Sequence, residues 1–355
     1  MKVGELLNQR SAWLAPGGDE SGVVVSSRIR LARNLQNVAF PGWAGEDECE
    51  RVWQRLRDAL ARIPSLQPCF AVGMGELDDI EKSILFERHL ISQEEAARGR
   101  GSGVVIARDE SAAVMVNEED HLRLQAMTSG LRLQDLWRHA SRMDDEIEEH
   151  VRYAFSPRLG YLTACPTNIG TGLRASVMLH VPGLVLMNEI NPVVNGLGKI
   201  GLAVRGLWGE GTEAVGNMFQ VSNQITMGDN EEHIIQILEQ VVRELVEHEQ
   251  NARQRLLEKR ADALRDHVGR ARGILAHAHV MTSKEALNLL SGLRLGVDLD
   301  IMPCNDKRRL LDELWLLIQP GHLQKLEGRR IKAKERDRVR AGIIRARVAE
   351  LGLGV

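Results

Sequence analysis

Cysteine is scarce in this chain: Cys49, Cys69, Cys165 and Cys304 are the four among 355 residues. They are widely spaced, form no CxxC pair and have no histidine at zinc-binding distance in sequence, which excludes a disulfide scaffold and a zinc ribbon. They read as reduced thiols. Long apolar runs are missing too. The greasiest stretch, Ala175 to Met187, is interrupted by His180 and Pro182, so no membrane-spanning helix is expected. The opening MKVGELLNQRSAWLAPGGDE has no apolar signal core, and a cytoplasmic location is expected. Neither sign of charge dominates: a net charge of -3 and a pI near 6.4 argue against a chain built to coat nucleic acid. Two phosphate-binding signatures are absent. Asn168-Ile169-Gly170-Thr171-Gly172-Leu173 leads into Arg174 where a Walker A loop presents Gly-Lys-Ser/Thr, and no GxGxxG occurs.

What is present is a soluble globular composition, 43% apolar and 27% charged, in a chain long enough for two domains. Residues 1–20 form a short polar lead. Candidate strands are Val23–Leu31, Val104–Ala107, Ala113–Asn117, Arg174–Val181, Leu202–Leu207 and Met218–Thr226; candidate helices are Asp47–Arg62, Leu133–Ala154 and the segment after Pro182. The strands come in groups without βαβ alternation, which predicts an α+β fold with a largely antiparallel sheet. From Asp229 to about Arg272 apolar positions recur at helical spacing, in one long helix with room for a break. Thr282-Ser283-Lys284-Glu285 is a capping-box start for another helix, and a further one begins near Lys334. Strand signals are absent here, so residues 257–355 read as a separate helical domain after a catalytic region at 21–256.

The chemistry concentrates in a few segments. Asn117-Glu118-Glu119-Asp120-His121-Leu122-Arg123 sets three consecutive carboxylates beside a histidine and an arginine. Adjacent like charges repel, so a buried cluster of this kind calls for a cationic partner. Val23–Leu31 alternates with period two, placing Arg28 and Arg30 on one face and Ile29 and Leu31 on the other. Two arginines about 7 Å apart repel unless an anion lies between them, and guanidinium forks suit phosphate. Arg123 on a second strand, Arg174 after its glycine turn, and Arg205 extend the cationic set. Cys165-Pro166-Thr167-Asn168 puts a thiol on a turn, and Arg205-Gly206-Leu207-Trp208-Gly209-Glu210-Gly211-Thr212-Glu213 carries two more carboxylates on a glycine-rich loop. Arginines that neutralise a triphosphate, with carboxylates that hold a cationic acceptor, favour phosphoryl transfer to a positively charged group.

SSRIRLAR, NEEDHLR, CPTNIGTGLRASV and RGLWGEGTEAVGN closely resemble, in order, the signature segments of the phosphagen (guanidino) kinases over about residues 21–256. The resemblance implies an ATP:guanidino phosphotransferase with an antiparallel sheet flanked by helices, using ATP and Mg²⁺. It assigns Glu119 and Glu213 as the carboxylates that clamp the acceptor, and Cys165 as a thiol facing the guanidinium. Nucleotide contacts fall on Ser26, Ser27, Arg28, Ile29 and Arg30, on His89 and Arg123, and on Arg174, Ala175, Ser176, Val177 and Met178. They continue through Arg205, Gly206, Leu207, Trp208, Gly209 and Glu210. Glu118 and Asp120 could reach the magnesium ion only through water. Two positions depart from the pattern: Trp208 stands where the family has an arginine, and Met178 where it has a histidine. Arg205 is the candidate replacement for the missing clamp.

Only 25 residues precede Ser26, and about a hundred follow the catalytic region. That layout is similar to the bacterial protein-arginine kinase branch of the family. Arg336-Asp337-Arg338-Val339-Arg340-Ala341 fits that branch's RDxxRA motif and implies an allosteric phosphoarginine pocket, although nine basic residues between Arg329 and Arg347 would also suit a solvated helix. The branch implies protein substrates, a homodimer, a zinc-binding activator protein, a heat-shock repressor and Clp protease as partners, with no nucleic acid and no membrane. A phosphagen kinase acting on free arginine, and a catalytically weak phosphoarginine adaptor, are the alternatives.

Overall fold

The computed structural model describes residues 3–14, 22–207, 214–302 and 308–352. Its strands are β1 (Val24–Arg33), β2 (Cys69–Gly73), β3 (Gly103–Ala107), β4 (Ala112–Val116), β5 (Leu122–Ser129), β6 (Phe155–Ser156), β7 (Gly160–Tyr161), β8 (Leu173–His180), β9 (Leu202–Gly206) and β10 (Met218–Asn223). Eight of them form one antiparallel sheet in the order β2-β3-β4-β5-β1-β8-β10-β9; β6 and β7 pair as a separate small hairpin. The antiparallel α+β class expected from the sequence is the class observed.

The helices are α1 (Glu46–Leu60), α2 (Asp79–Glu87), α3 (Gln93–Ala96), α4 (Leu133–Glu148), α5 (Pro182–Leu186), α6 (Ile190–Lys199) and α7 (Glu231–Lys259). They continue as α8 (Ala261–His277), α9 (Ser283–Asp298), α10 (Arg308–Leu317), α11 (Pro320–Leu326) and α12 (Ala333–Glu350). No helix among the described residues is long and apolar enough to cross a membrane.

Side-chain alternation gives the central strands two unlike faces. Ile29 and Leu31 of β1, Leu122, Leu124 and Ala126 of β5, and Leu173, Ala175 and Val177 of β8 point one way. They form a single buried core with apolar residues of α1, α4 and α7. The opposite face is covered only at its flanks. On the β3–β4 side, Val104, Ile106, Ala113 and Met115 pack against α2 and the N-terminal turn at Val3 and Leu6. On the other side, Val25, Met127, Met178 and Met218 join a core built from the helices after α7. Between these flanks lies the polar strip that carries the site.

Several elements differ from the sequence reading. The helix expected to reach Ala154 ends at Glu148, because Tyr153 pairs with Leu35 in extended conformation and Ala154 N–H donates to Asn34. The long helix breaks at Arg260. The Thr282 cap is present, its hydroxyl accepting from Glu285 N–H. β2, α2, α3, α10 and α11 have no counterpart in the sequence reading.

Candidate active site

Cross-strand register assembles the cationic strip. Arg30 lies opposite Arg174 on β8 and Gln125 on β5; Arg28 lies opposite Ser176 and Met127; Arg123 lies opposite Ala32, one step further along. Arg28, Arg30, Arg123 and Arg174 therefore share a face. Arg205 on β9 joins its edge opposite Gln220. Burial and the neighbouring Arg123 and Arg174 push the Arg28 guanidinium down to about 10. Burial, with Arg28, Arg123 and Arg174, holds Arg30 well below the ordinary arginine range. Arg30 Nε is buried and meets no acceptor among the described residues. Several guanidiniums held together, one with a buried idle donor, fit a polyanion better than any neutral ligand.

The period of two also narrows the nucleotide segments expected from the sequence. Ser26, Arg28, Ser176 and Met178 line a recess on the arginine face together with His89, Met127 and Gln220. The side chains of Ile29, Ala175 and Val177 lie in the opposite core. Ser27 is also turned away from the strip: its hydroxyl donates to Gly130 O at 2.7 Å and accepts from Arg132 N–H. Those four support the strip from behind. Gln125 and Gln220, not singled out from sequence, line the site. Gln220 accepts from Arg28 at 2.7 Å and Gln125 donates to the His89 carbonyl at 2.6 Å. Period-two spacing along Met218–Asn223 and Leu122–Ser129 was the signal for both.

His89 sits just after α2 with a positive φ of 58° and packs edge-on against Trp13. Burial, Arg28 and Arg30 push its imidazole down to about 3, so the ring is neutral at physiological pH.

The acidic cluster forms the turn between β4 and β5, and its members separate by role. Glu118 is buried, forms a short ion pair with Arg123 and accepts from Ser92 Oγ. This is the cationic partner that the cluster required. Asp120 is also buried and accepts from Asn34 Nδ2 at 2.5 Å and from Ala164 N–H at 2.7 Å. Its carboxylate thereby ties the segment carrying Cys165 to the acidic turn. His121 Nδ1 accepts from Leu35 N–H, which leaves Nε2 to donate to Ala39 O at 3.1 Å; burial pushes this ring down to about 4. Glu119 alone points into solvent. Partial burial and the adjacent Asp120 and Glu118 raise its pKa, against the opposing pull of Arg123.

Cys165 is half-buried, with Sγ 3.0 Å from Thr167 Oγ1. Glu213, Trp208, Gly209 and Glu210 lie outside the described residues. Leu207, just before them, is buried among the residues packing on the C-terminal helices. After them, the 215–217 turn is fixed to α9: Asn288 accepts from Gly216 N–H at 2.7 Å and Ser291 Oγ from Asn217 Nδ2 at 2.8 Å.

Glu118 and Asp120 are committed to neighbours, and no group of three metal-ligating side chains occurs among the described residues. The strip has the charge to hold nucleotide phosphates, on which a cation can travel.

In the tail, Arg340 is 2% exposed. It donates to Ile318 O at 3.0 Å, Met281 O at 2.9 Å and Asp337 Oδ1 at 2.6 Å. This guanidinium clamps α12 to its neighbours, so within the expected phosphoarginine pocket Arg340 is not an open phosphate fork. Ala341 is buried, Arg338 is exposed and Val339 is half-buried. Arg336 donates to Ile331 O and borders an open groove with Asp79, Arg330 and Lys332.

Residues 51–252 match the ATP:guanido phosphotransferase C-terminal catalytic domain. Among solved structures, the chain is similar to the duplicated taurocyamine kinase of Schistosoma mansoni with bound transition-state-analogue components. That match has a TM-score of 0.58 at 26% identity and covers 70% of this chain and 35% of that one. It is also similar to lombricine kinase, with a TM-score of 0.58 at 26% identity over 68% of this chain and 70% of that one. Fold and arginine strip together define an ATP:guanido phosphotransferase.

The full length narrows the class. Residues 261–352 match the protein-arginine kinase McsB C-terminal domain. The chain is 46% identical over 349 residues to a protein-arginine kinase of Halothermothrix orenii, covering 98% of this chain and 99% of that one. It is 44% identical over 351 residues to one of Geobacillus stearothermophilus, covering 98% and 96%. The chain belongs to the protein-arginine kinase family.

Proposed function

We propose that this enzyme transfers the γ-phosphate of ATP to guanidinium groups of arginine side chains in proteins. The observation that carries the reading is the pairing of a half-buried arginine strip with one exposed carboxylate, Glu119, at its end. The strip neutralises the phosphates and the charge that develops on the transferring group. An arginine side chain has a pKa of about 12.5–13.8 and is non-nucleophilic while protonated. Glu119 and Glu213 hold its N–H groups from two sides, and Glu119 accepts the proton as the N–P bond forms. Cys165, on a segment tied to the same turn through Asp120, faces the acceptor. Mg²⁺ reduces the phosphate charge, carried on the nucleotide.

In this proposal residues 21–256 catalyse, and 257–355 regulate and join two copies. The tail senses product: Asp337 takes the N–H groups of a phosphoarginine and Arg336 its phosphate, in competition with the internal Arg340–Asp337 pair. Family resemblance supports the cellular setting, in the cytoplasm under stress. There a zinc-binding protein activates the enzyme, marked proteins pass to Clp protease, and a heat-shock repressor is inactivated by phosphorylation.

The test compares acceptors. Specificity constants should be far higher for an unfolded, casein-like protein than for free L-arginine, which carries its own charged ends. Comparable constants would reassign the chain to small guanidino acceptors.

A further inference from the structure

The acceptor side of the site is edged by large apolar side chains in water. Trp43 is 90% exposed and Phe155 55%, whereas residues of this kind usually seek burial. Leu159 also stands exposed on the β6–β7 hairpin. Both bearing segments are fastened to the turn that presents Glu119. The loop carrying Trp43 is held at Ala39, whose carbonyl meets His121 Nε2, and the helix α1 that follows it is held at Cys49, whose carbonyl accepts from Asn117 Nδ2 at 2.8 Å. The hairpin leads into the 162–164 segment, where Asn34 Nδ2 donates to Leu162 O at 3.0 Å and Asp120 accepts from Ala164 N–H.

Phe155 is held rigidly. Its ring packs edge-on against Tyr161 at 5.3 Å, and Tyr161 packs against Tyr153 at 6.0 Å. The buried Arg33 guanidinium lies 3.5 Å from the Tyr161 ring centre. Behind the hairpin, Gly160 (φ 75°) approaches Gly170 so closely that a Cβ would stand 2.4 Å from the Gly170 carbonyl oxygen. The Phe155 ring thus stands in solvent against Tyr161, which itself stacks on the buried Arg33 guanidinium.

We infer that Trp43 and Phe155, with Leu159, form a docking rim for apolar residues flanking the target arginine in an extended, unfolded polypeptide. This rests on the proposed transfer to protein arginines and adds how those arginines are chosen. Both segments are anchored to the turn that carries Glu119, directly or through Asn34, which is why the rim is assigned to the acceptor. In a folded protein apolar side chains are mostly buried; only an unfolded segment offers an arginine and neighbouring apolar side chains together.

Peptides of equal length with one central arginine, flanked by Leu and Phe or by Ser and Gly, test this in the full-length enzyme with ATP. Burial of one or two apolar side chains predicts a KM about tenfold lower for the Leu/Phe peptide. Trp43→Ala with Phe155→Ala should abolish that preference, with the loss appearing in KM and not in kcat. Both side chains are exposed, so thermal unfolding checks that the fold is retained, and Trp43→Leu should restore part of the preference. Equal KM values for the two peptides in the parent, an undiminished preference in the double variant, or a fall in kcat alone would each overturn the rim. Transfer to neither peptide would instead sink the kinase assignment on which it rests.

Discussion

Arg30 and Arg174 stand directly opposite one another across β1 and β8. Like charges placed as cross-strand partners destabilise a sheet, and here burial and Arg28 add to the cost. An anion bound between the two guanidiniums would offset that cost. Arg174→Met should therefore raise the unfolding temperature of the nucleotide-free protein while weakening nucleotide binding. Saturation of the parent with a non-hydrolysable ATP analogue at a hundredfold over Kd should add about 2.7 kcal/mol of stability. Calorimetry in both states checks the two signs together.

Glu119 must be ionised to accept a proton, and its pKa is raised by partial burial, Asp120 and Glu118. The kcat/KM for transfer should therefore fall on the acid side at a pH above the ordinary carboxylate range. Glu119→Gln should lose about 10²–10⁴-fold in rate and lose that acid limb, with nucleotide affinity retained. Activity within about twofold of the parent would remove Glu119 from the mechanism.

Glu95 is completely buried, and neither carboxylate oxygen has a partner among the described residues. Burial and the nearby Glu118 hold its pKa well above the usual value. The folded state thus binds a proton that the unfolded state has released, so this group's contribution to stability declines as pH rises above the unfolded pKa of about 4.3. Glu95→Gln should stabilise the protein at pH 8, with the advantage shrinking toward pH 5. Denaturant unfolding at the two pH values measures it.

The tail makes a separable prediction. Asp337→Ala with Arg336→Ala should abolish binding of a phosphoarginine peptide and its activating effect. Arg340→Ala should instead lower thermal stability, because it leaves the carbonyls of Ile318 and Met281 without their donor; an unsatisfied buried acceptor costs about 1–3 kcal/mol. Unchanged peptide affinity in the double variant would leave the motif a helix clamp only.

Much of the central sheet was legible because its two faces differ in chemistry. Arg28, Ile29, Arg30 and Leu31 alternate so sharply that the face each side chain takes follows from spacing. The same rule, applied fully, would have turned Ser27, Ala175 and Val177 to the core and brought Gln125 and Gln220 into the site. β2 was hidden because Cys69–Gly73 is a short edge strand with little alternation in burial. The break at Arg260 has no proline or glycine to mark it. The inward turn of Arg340 was illegible because a basic residue on a basic helix gives no local sign that distant carbonyls await it. Fastenings such as Asp120 to Ala164 join segments 44 residues apart, and only the fold brings them together.

The central claim is transfer to arginine at Glu119. The most direct measurement incubates the pure protein with ATP and an unfolded protein substrate, then maps phosphorylated residues under conditions that preserve acid-labile N–P bonds. The predicted result is phosphate on arginine side chains, lost on acid treatment and nearly absent with Glu119→Gln. Phosphate on serine, threonine or tyrosine, or arginine labelling undiminished in that variant, would contradict it.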